Sequence, residues 1–219
     1  VDYQSKKRFW EIDLFRGIAI IFMIVFHFLY DLNYLNIYNL ELYSGYFLIY
    51  VYMIGTIFFI LVGISLTLSY NKNIDFLSRR ELIKKFLKRG LKIFILGLFI
   101  TIITWIYLDE GFVIFGVLHC IGISIMISFP FLKLKYLNLF LGFIFIFIGI
   151  VLKTLTFDFN WLLWLGFIPN IFYTIDYFPI FPWLGVVLIG IFLGNKLYSK
   201  NSRVFKLKEL SDFRIIKLL

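Results

Sequence analysis

The sequence predicts an all-α integral membrane protein: a polytopic helix bundle of about six crossings plus one re-entrant or interfacial segment, with a cytoplasmic N-terminus. Composition, hydropathy and run length predict it. Of the 219 residues, 62% are hydrophobic, against about 45–50% in a soluble domain. The mean hydropathy is +0.93. The apolar runs approach the ~20 residues that a helix needs to cross ~30 Å of hydrocarbon, and they lack the strict alternation of barrel strands. The 29 Phe and 14 Tyr would suit strands by propensity alone, so run length decides for helix.

The predicted spans are, in order, residues 12–32, 46–70, 91–108, 111–132, 136–157 and 178–197. The second carries no charge, and Lys153 in the fifth is close enough to its end to snorkel. Residues 161–175 are apolar but short and broken by Pro169, so they read as re-entrant or interfacial. Residues 76–89 place Leu82, Ile83, Phe86 and Leu87 on one helical face and Arg80, Lys84, Lys85 and Lys88 on the other. That pattern predicts a helix lying along the membrane surface.

Loop charge sets the orientation. Lys6, Lys7 and Arg8 precede the first span, residues 33–45 carry no Lys or Arg, and residues 71–92 are densely basic. Asp109 and Glu110 follow the third span, Lys133 and Lys135 the fourth, Asp158 the fifth, and a basic tail begins at Lys196. The positive-inside rule therefore places the N-terminus, residues 71–92, residues 133–135 and the tail in the cytoplasm, provided that 161–175 does not cross. The net charge of +9 is thus a topology signal rather than a nucleic-acid footprint. The lone Cys120 excludes an intrachain disulfide framework. There is no cleavable signal pattern. Residues 1–199 read as the membrane domain, and 200–219 as a basic cytoplasmic tail leading toward a further helix.

The first span carries the chemistry. In EIDLFRGIAIIFMIVFHFLYDL the titratable residues Asp13, Arg16, His27 and Asp31 fall on one helical face. Arg16 and His27 are about 20° apart around the axis, and both aspartates lie within about 60° of Arg16. Such groups persist at membrane depth only where they pair or react. His27 suits a general base, with Asp31 one turn on to orient its ring. Arg16 suits phosphate or a carbonyl oxygen, or a salt bridge to Asp13. Arg79, Arg80, Lys84 and Lys88 are candidates for the phosphates of a nucleotide-bearing donor, or for lipid headgroups. His119, flanked by Gly116 and Gly122, is either a packing residue or a second cavity histidine at similar depth. Tyr30 and Asp176 are placed at the outer rim of that cavity. Two histidines without ligand spacing predict no metal.

Four segments, RFWEIDLFRGIAIIFMIVFHFLYDL, FILVGISL, FGVLHCIG and DYFPIFPWLGVVLIGIFLG, resemble short prokaryotic relatives of the heparan-α-glucosaminide N-acetyltransferase catalytic domain family. Arg16 and His27, ten residues between them, are also similar to the Arg-x10-His pattern of the wider transmembrane acyltransferase superfamily. The resemblance implies an acyl-CoA-dependent transferase: acetyl-CoA or another acyl-CoA approaching from the cytoplasm, and a sugar-like hydroxyl or amine as acceptor on the other side. It implies His27 as the catalytic histidine and Arg16 as its matching arginine. The chain departs from the lysosomal enzyme in having no histidine in residues 33–45, and from the superfamily in having fewer spans. A transporter using the same stripe as a relay is the alternative; the lack of an internal repeat counts against it. Homo-oligomerisation is left open.

Overall fold

The computed structural model describes residues 9–39, 44–199 and 202–205. The basic run Lys6, Lys7, Arg8 and residues 206–219 of the tail lie outside the described residues. The fold is an all-helical bundle: α1 (Trp10–Tyr34), α2 (Gly45–Asn73), α3 (Arg79–Tyr107), α4 (Val117–Ile127), α5 (Lys135–Lys153) and α6 (Ile180–Leu197). All but α4 are long and apolar enough to cross a membrane. The protein is a multi-pass integral membrane protein.

The shorter α4 is followed by a 3₁₀ turn, Phe129–Lys133. The predicted fourth span began at residue 111, but the helix forms only after Gly116. Gly111 sits at φ +78°, a left-handed conformation that a continuing helix excludes. The non-helical entry is tolerated because it packs inside protein rather than lipid: Val113 and Phe115 are buried.

One expectation is corrected. Residues 79–89 do not form a separate surface helix but are the first turns of α3, which runs unbroken to Tyr107. Ser78 starts it with a capping box: its Oγ accepts from the Glu81 N–H at 3.4 Å, and the Glu81 carboxylate accepts from the Ser78 N–H at 2.8 Å. No breaker follows before the membrane run, since Gly90 packs directly against Gly122 of α4. The amphipathic pattern survives as a core face of Leu82, Phe86 and Gly90, with the cations pointing outward.

α6 is the central helix, packed between α2 and α5, while α3 pairs with α4 and α1 packs on α2. The close approaches depend on facing glycines. A Cβ on Gly185 would be 2.5 Å from the Gly142 carbonyl oxygen, and one on Gly122 would be 2.9 Å from that of Gly90. Small residues at such crossings let helices gain van der Waals contact that lipid does not otherwise drive. Trp183 stacks on Phe59 at 4.9 Å to fill the α2–α6 seam. Residues 161–175 form no spanning helix, only a short 3₁₀ turn at Leu163–Leu165. Lys/Arg residues stand at the start of α3 and α5 and at the end of α6.

Beyond α6 the chain returns to the bundle. The strands Tyr198–Ser199 and Ser202–Arg203 form a small antiparallel hairpin. Arg203 donates to both carboxylate oxygens of Glu11, at 2.8 and 2.7 Å, and the Tyr198 hydroxyl donates to Glu11 at 3.1 Å. Glu11 is only 5% exposed. This clasp ties the end of α6 to the start of α1. The sequence reading of 200–219 as a departing tail did not foresee it.

Candidate active site

The polar stripe of α1 meets α2 at its Arg16 end and is exposed at its His27 end. Near the basic end, the Arg16 guanidinium donates to Asp13 at 2.8 Å and to the Ser65 hydroxyl of α2 at 2.5 Å. Ser65 in turn donates to the Leu61 carbonyl at 2.5 Å. The guanidinium is thus fixed by two acceptors yet keeps 43% of the side chain accessible. Arg89 of α3 lies within electrostatic range of Arg16. Two cations from different helices so placed make a locus for an anion.

At the other end of the stripe stands His27. Its Nδ1 is 2.8 Å from the Met23 carbonyl oxygen one turn earlier. A carbonyl only accepts, so Nδ1 donates this bond, and Nε2 is the nitrogen through which the ring can take up or release a proton. The ring is thus oriented by the Met23 backbone, where the sequence reading gave that task to Asp31. Asp31 is exposed one turn further on, on the same helical face. Tyr30 is partly buried, its ring 6.4 Å from that of Phe26.

Asp176 completes this end from a distant segment. Its carboxylate accepts from the Val117 N–H at 3.1 Å, at the N-terminus of α4, where helix dipole and unpaired amides favour an anion. Gly116 is required here: a Cβ would collide with the carboxylate. Burial pushes the Asp176 carboxyl above the usual range, while the Val117 N–H and the charge of His27 pull it back. The last effect places the imidazole within electrostatic range of the carboxylate. The surrounding segment is laced to the entry of α4: Ile175 N–H donates to the Gly111 carbonyl at 2.9 Å, Phe178 N–H to that of Phe115 at 3.0 Å, and the Thr174 hydroxyl to that of Phe112 at 2.7 Å. The Tyr177 hydroxyl donates to the Leu163 carbonyl at 2.8 Å, and burial pushes the pKa of its phenol up.

His119 is placed differently from a cavity histidine. It is 2% exposed. Its Nδ1 accepts from the Gly116 N–H at 3.2 Å, and its Nε2 lies 3.4 Å from the Thr101 hydroxyl of α3. Phe115 stacks on it at 5.5 Å and Phe94 meets it edge-on at 5.2 Å. Both nitrogens are engaged, one closing the start of α4 and the other tying it to α3. Arg80, Lys84 and Lys88 are exposed along the outward face of α3, and Arg79 stands at its first turn.

A family profile described as "Heparan-alpha-glucosaminide N-acetyltransferase, catalytic" matches residues 8–219. The chain belongs to this family. No curated protein and no solved structure matches. Membership makes the chain, in general terms, a membrane acetyltransferase. The match to the acetyltransferase family reaches both ends of the polar stripe and extends beyond α6 through the hairpin.

Sequence reasoning missed Ser65 and the Met23 carbonyl, and did not single out Arg89 within the basic stretch 79–89. Ser65 lies within the FILVGISL segment that carries the family resemblance, which was the available signal. Arg89 was hidden among neighbouring cations on the same helix.

The Asp176 environment has a pH consequence. Burial holds its folded pKa above the usual carboxylate value, so its contribution to stability is full at low pH and lost as pH rises through the raised value. Asp176→Asn keeps the shape and removes the titration. The expected result is an unfolding-midpoint-against-pH curve that flattens across that interval relative to the parent, measured in detergent. Parallel curves would refute the assignment.

Proposed function

We propose that the protein transfers an acyl group, acetyl foremost, from cytoplasmic acyl-CoA to a hydroxyl or amine of a sugar-like acceptor at the outer end of the bundle. The observation that carries this reading is an exposed His27 whose Nδ1 is engaged by the Met23 carbonyl, on the same helical face as an arginine. The two are eleven residues apart, ~16 Å along the axis, a separation commensurate with an extended pantetheine arm.

In this reading Arg16 and Arg89 hold the donor's phosphate or thioester region. The exposed Arg79, Arg80, Lys84 and Lys88 raise the local concentration of the anionic donor. The acceptor proton passes to His27 Nε2 as the acceptor heteroatom attacks the thioester carbonyl. The carbon–sulfur bond then breaks, and the imidazolium returns the proton to the departing CoA thiolate. Asp176 and Asp31 stabilise the imidazolium through their charge. Asp176, fixed by the α4 N-terminus, also offers an acceptor for a polar group of the incoming substrate.

The test is thiol release from acetyl-CoA by the protein in proteoliposomes, with and without candidate amino sugars. Acceptor-dependent release supports the reading; solute flux without thiol release refutes it in favour of a carrier. Arg89→Ala should raise the KM for acyl-CoA about tenfold, the loss of one charge-assisted contact of ~1.4 kcal/mol, with kcat little changed. An unchanged KM would remove Arg89 from the donor site.

A further inference from the structure

A cavity of about 350 Å³ opens at the basic end of the bundle, between the end of α2, the start of α3 and the 3₁₀ turn after α4. Its chemistry is divided. Tyr70 and Leu82 are buried and form an apolar floor with Phe129, whose ring meets Tyr70 edge-on at 6.2 Å. Arg79 and Lys133 line the same cavity and are exposed. The Lys133 ammonium stands 6.0 Å over the Tyr70 ring. None of the described residues that line the cavity is acidic. Arg79 was singled out by sequence; Lys133 was read only as a topology marker.

Two cations from separate elements, over an aromatic and aliphatic floor, match an anion carried on an apolar or flat group. The position favours phosphate. The positive-inside reading puts this end of the helices at the cytoplasmic surface, the depth of anionic headgroups. A guanidinium forks onto phosphate oxygens, and an ammonium adds a point charge. We infer that this cavity binds a phosphate ester, supplied either by an anionic phospholipid of the cytoplasmic leaflet or by a nucleotide. The inference shares Arg79 with the donor reading but uses none of the residues of the His27–Asp176 cluster, so phosphate-ester binding here and acyl transfer there can fail separately.

The experiment compares the full chain, purified in neutral detergent, with Arg79→Ala/Lys133→Ala and with the charge-keeping Arg79→Lys/Lys133→Arg. Native mass spectrometry reads retention of phosphatidylglycerol against phosphatidylcholine. Equilibrium dialysis reads binding of adenosine 3′,5′-bisphosphate. The parent should bind at least one of the two phosphate esters, with phosphatidylglycerol preferred over phosphatidylcholine if lipid is the source. Removing both cations should weaken that binding roughly thirtyfold, at about one kcal/mol per cation, while the charge-keeping variant retains most of it. Both side chains are exposed, so an unchanged unfolding midpoint certifies the fold. Retention of phosphatidylglycerol alone assigns the site to lipid, and nucleotide binding alone assigns it to a soluble phosphate ester. A parent that binds neither, or an alanine variant that binds as well as the parent, overturns the inference.

Discussion

Replacing His27 by alanine should lower acyl transfer by about 10²–10⁴-fold, the usual contribution of a positioned general base, without loss of folded protein. The helix does not need this side chain. His27 is exposed on the outer face of α1, and its polar tie is to its own helix, at the Met23 carbonyl. His27→Gln should be equally inactive, because an amide cannot take up a proton. The loss should appear in kcat and in kcat/KM alike, since the proton moves only in the transition state. Residual donor binding, measured with a non-transferable CoA analogue, should be unchanged. A His27→Ala protein that transfers at the parental rate would end the assignment.

The second large effect is on stability. Arg203→Ala should cost about 3–5 kcal/mol, because it strands the Glu11 carboxylate in a buried site. For a chain of this length that corresponds to roughly 6–20 °C in the unfolding midpoint. The geometry is the reason to expect the upper part of that range. Both oxygens of Glu11 are engaged by Arg203, one also accepts from Tyr198, and the Arg203 guanidinium lies 5.7 Å from the Phe9 ring centroid. Removing both charges together, as Glu11→Leu/Arg203→Met, should restore most of the loss, since a well-packed apolar pair replaces a buried ion pair at little cost. If the single and double variants unfold at the same temperature, the clasp contributes shape and not charge.

Much of this fold was legible in the sequence, and the reasons are physical. Spans announce themselves because hydrocarbon demands long uncharged runs. Residues 161–175 were recognised as non-crossing because the cations of the tail had to remain on one side. The Asp13–Arg16 pair followed from helical spacing alone, as i,i+3 neighbours on one face. What escaped was either local capping chemistry or contact between distant segments. The Ser78–Glu81 box was written in the sequence, and overlooking it split α3 in two. The Asp176 contact with the α4 N-terminus spans 59 residues, and the Glu11–Arg203 clasp 192; no periodicity encodes either. The sequence reading leaves His119 between packing and a cavity role; its place three residues after Gly116, which lets its ring accept from the start of its own helix, was the signal not used.

The central claim is that the stripe on α1 faces water, with His27 reachable from it. The direct measurement is the reaction rate of a cysteine at position 27 with a charged, membrane-impermeant thiosulfonate in proteoliposomes. The native thiol gives little background, because Cys120 is buried. Val25→Cys is the control: it lies at nearly the same depth but about 160° around the axis, on an exposed apolar face. The account predicts rapid modification at 27, slowed by acyl-CoA or acceptor, and little at 25. Equal protection of both positions from the charged reagent, with both open to an apolar one, would place His27 against lipid and contradict it.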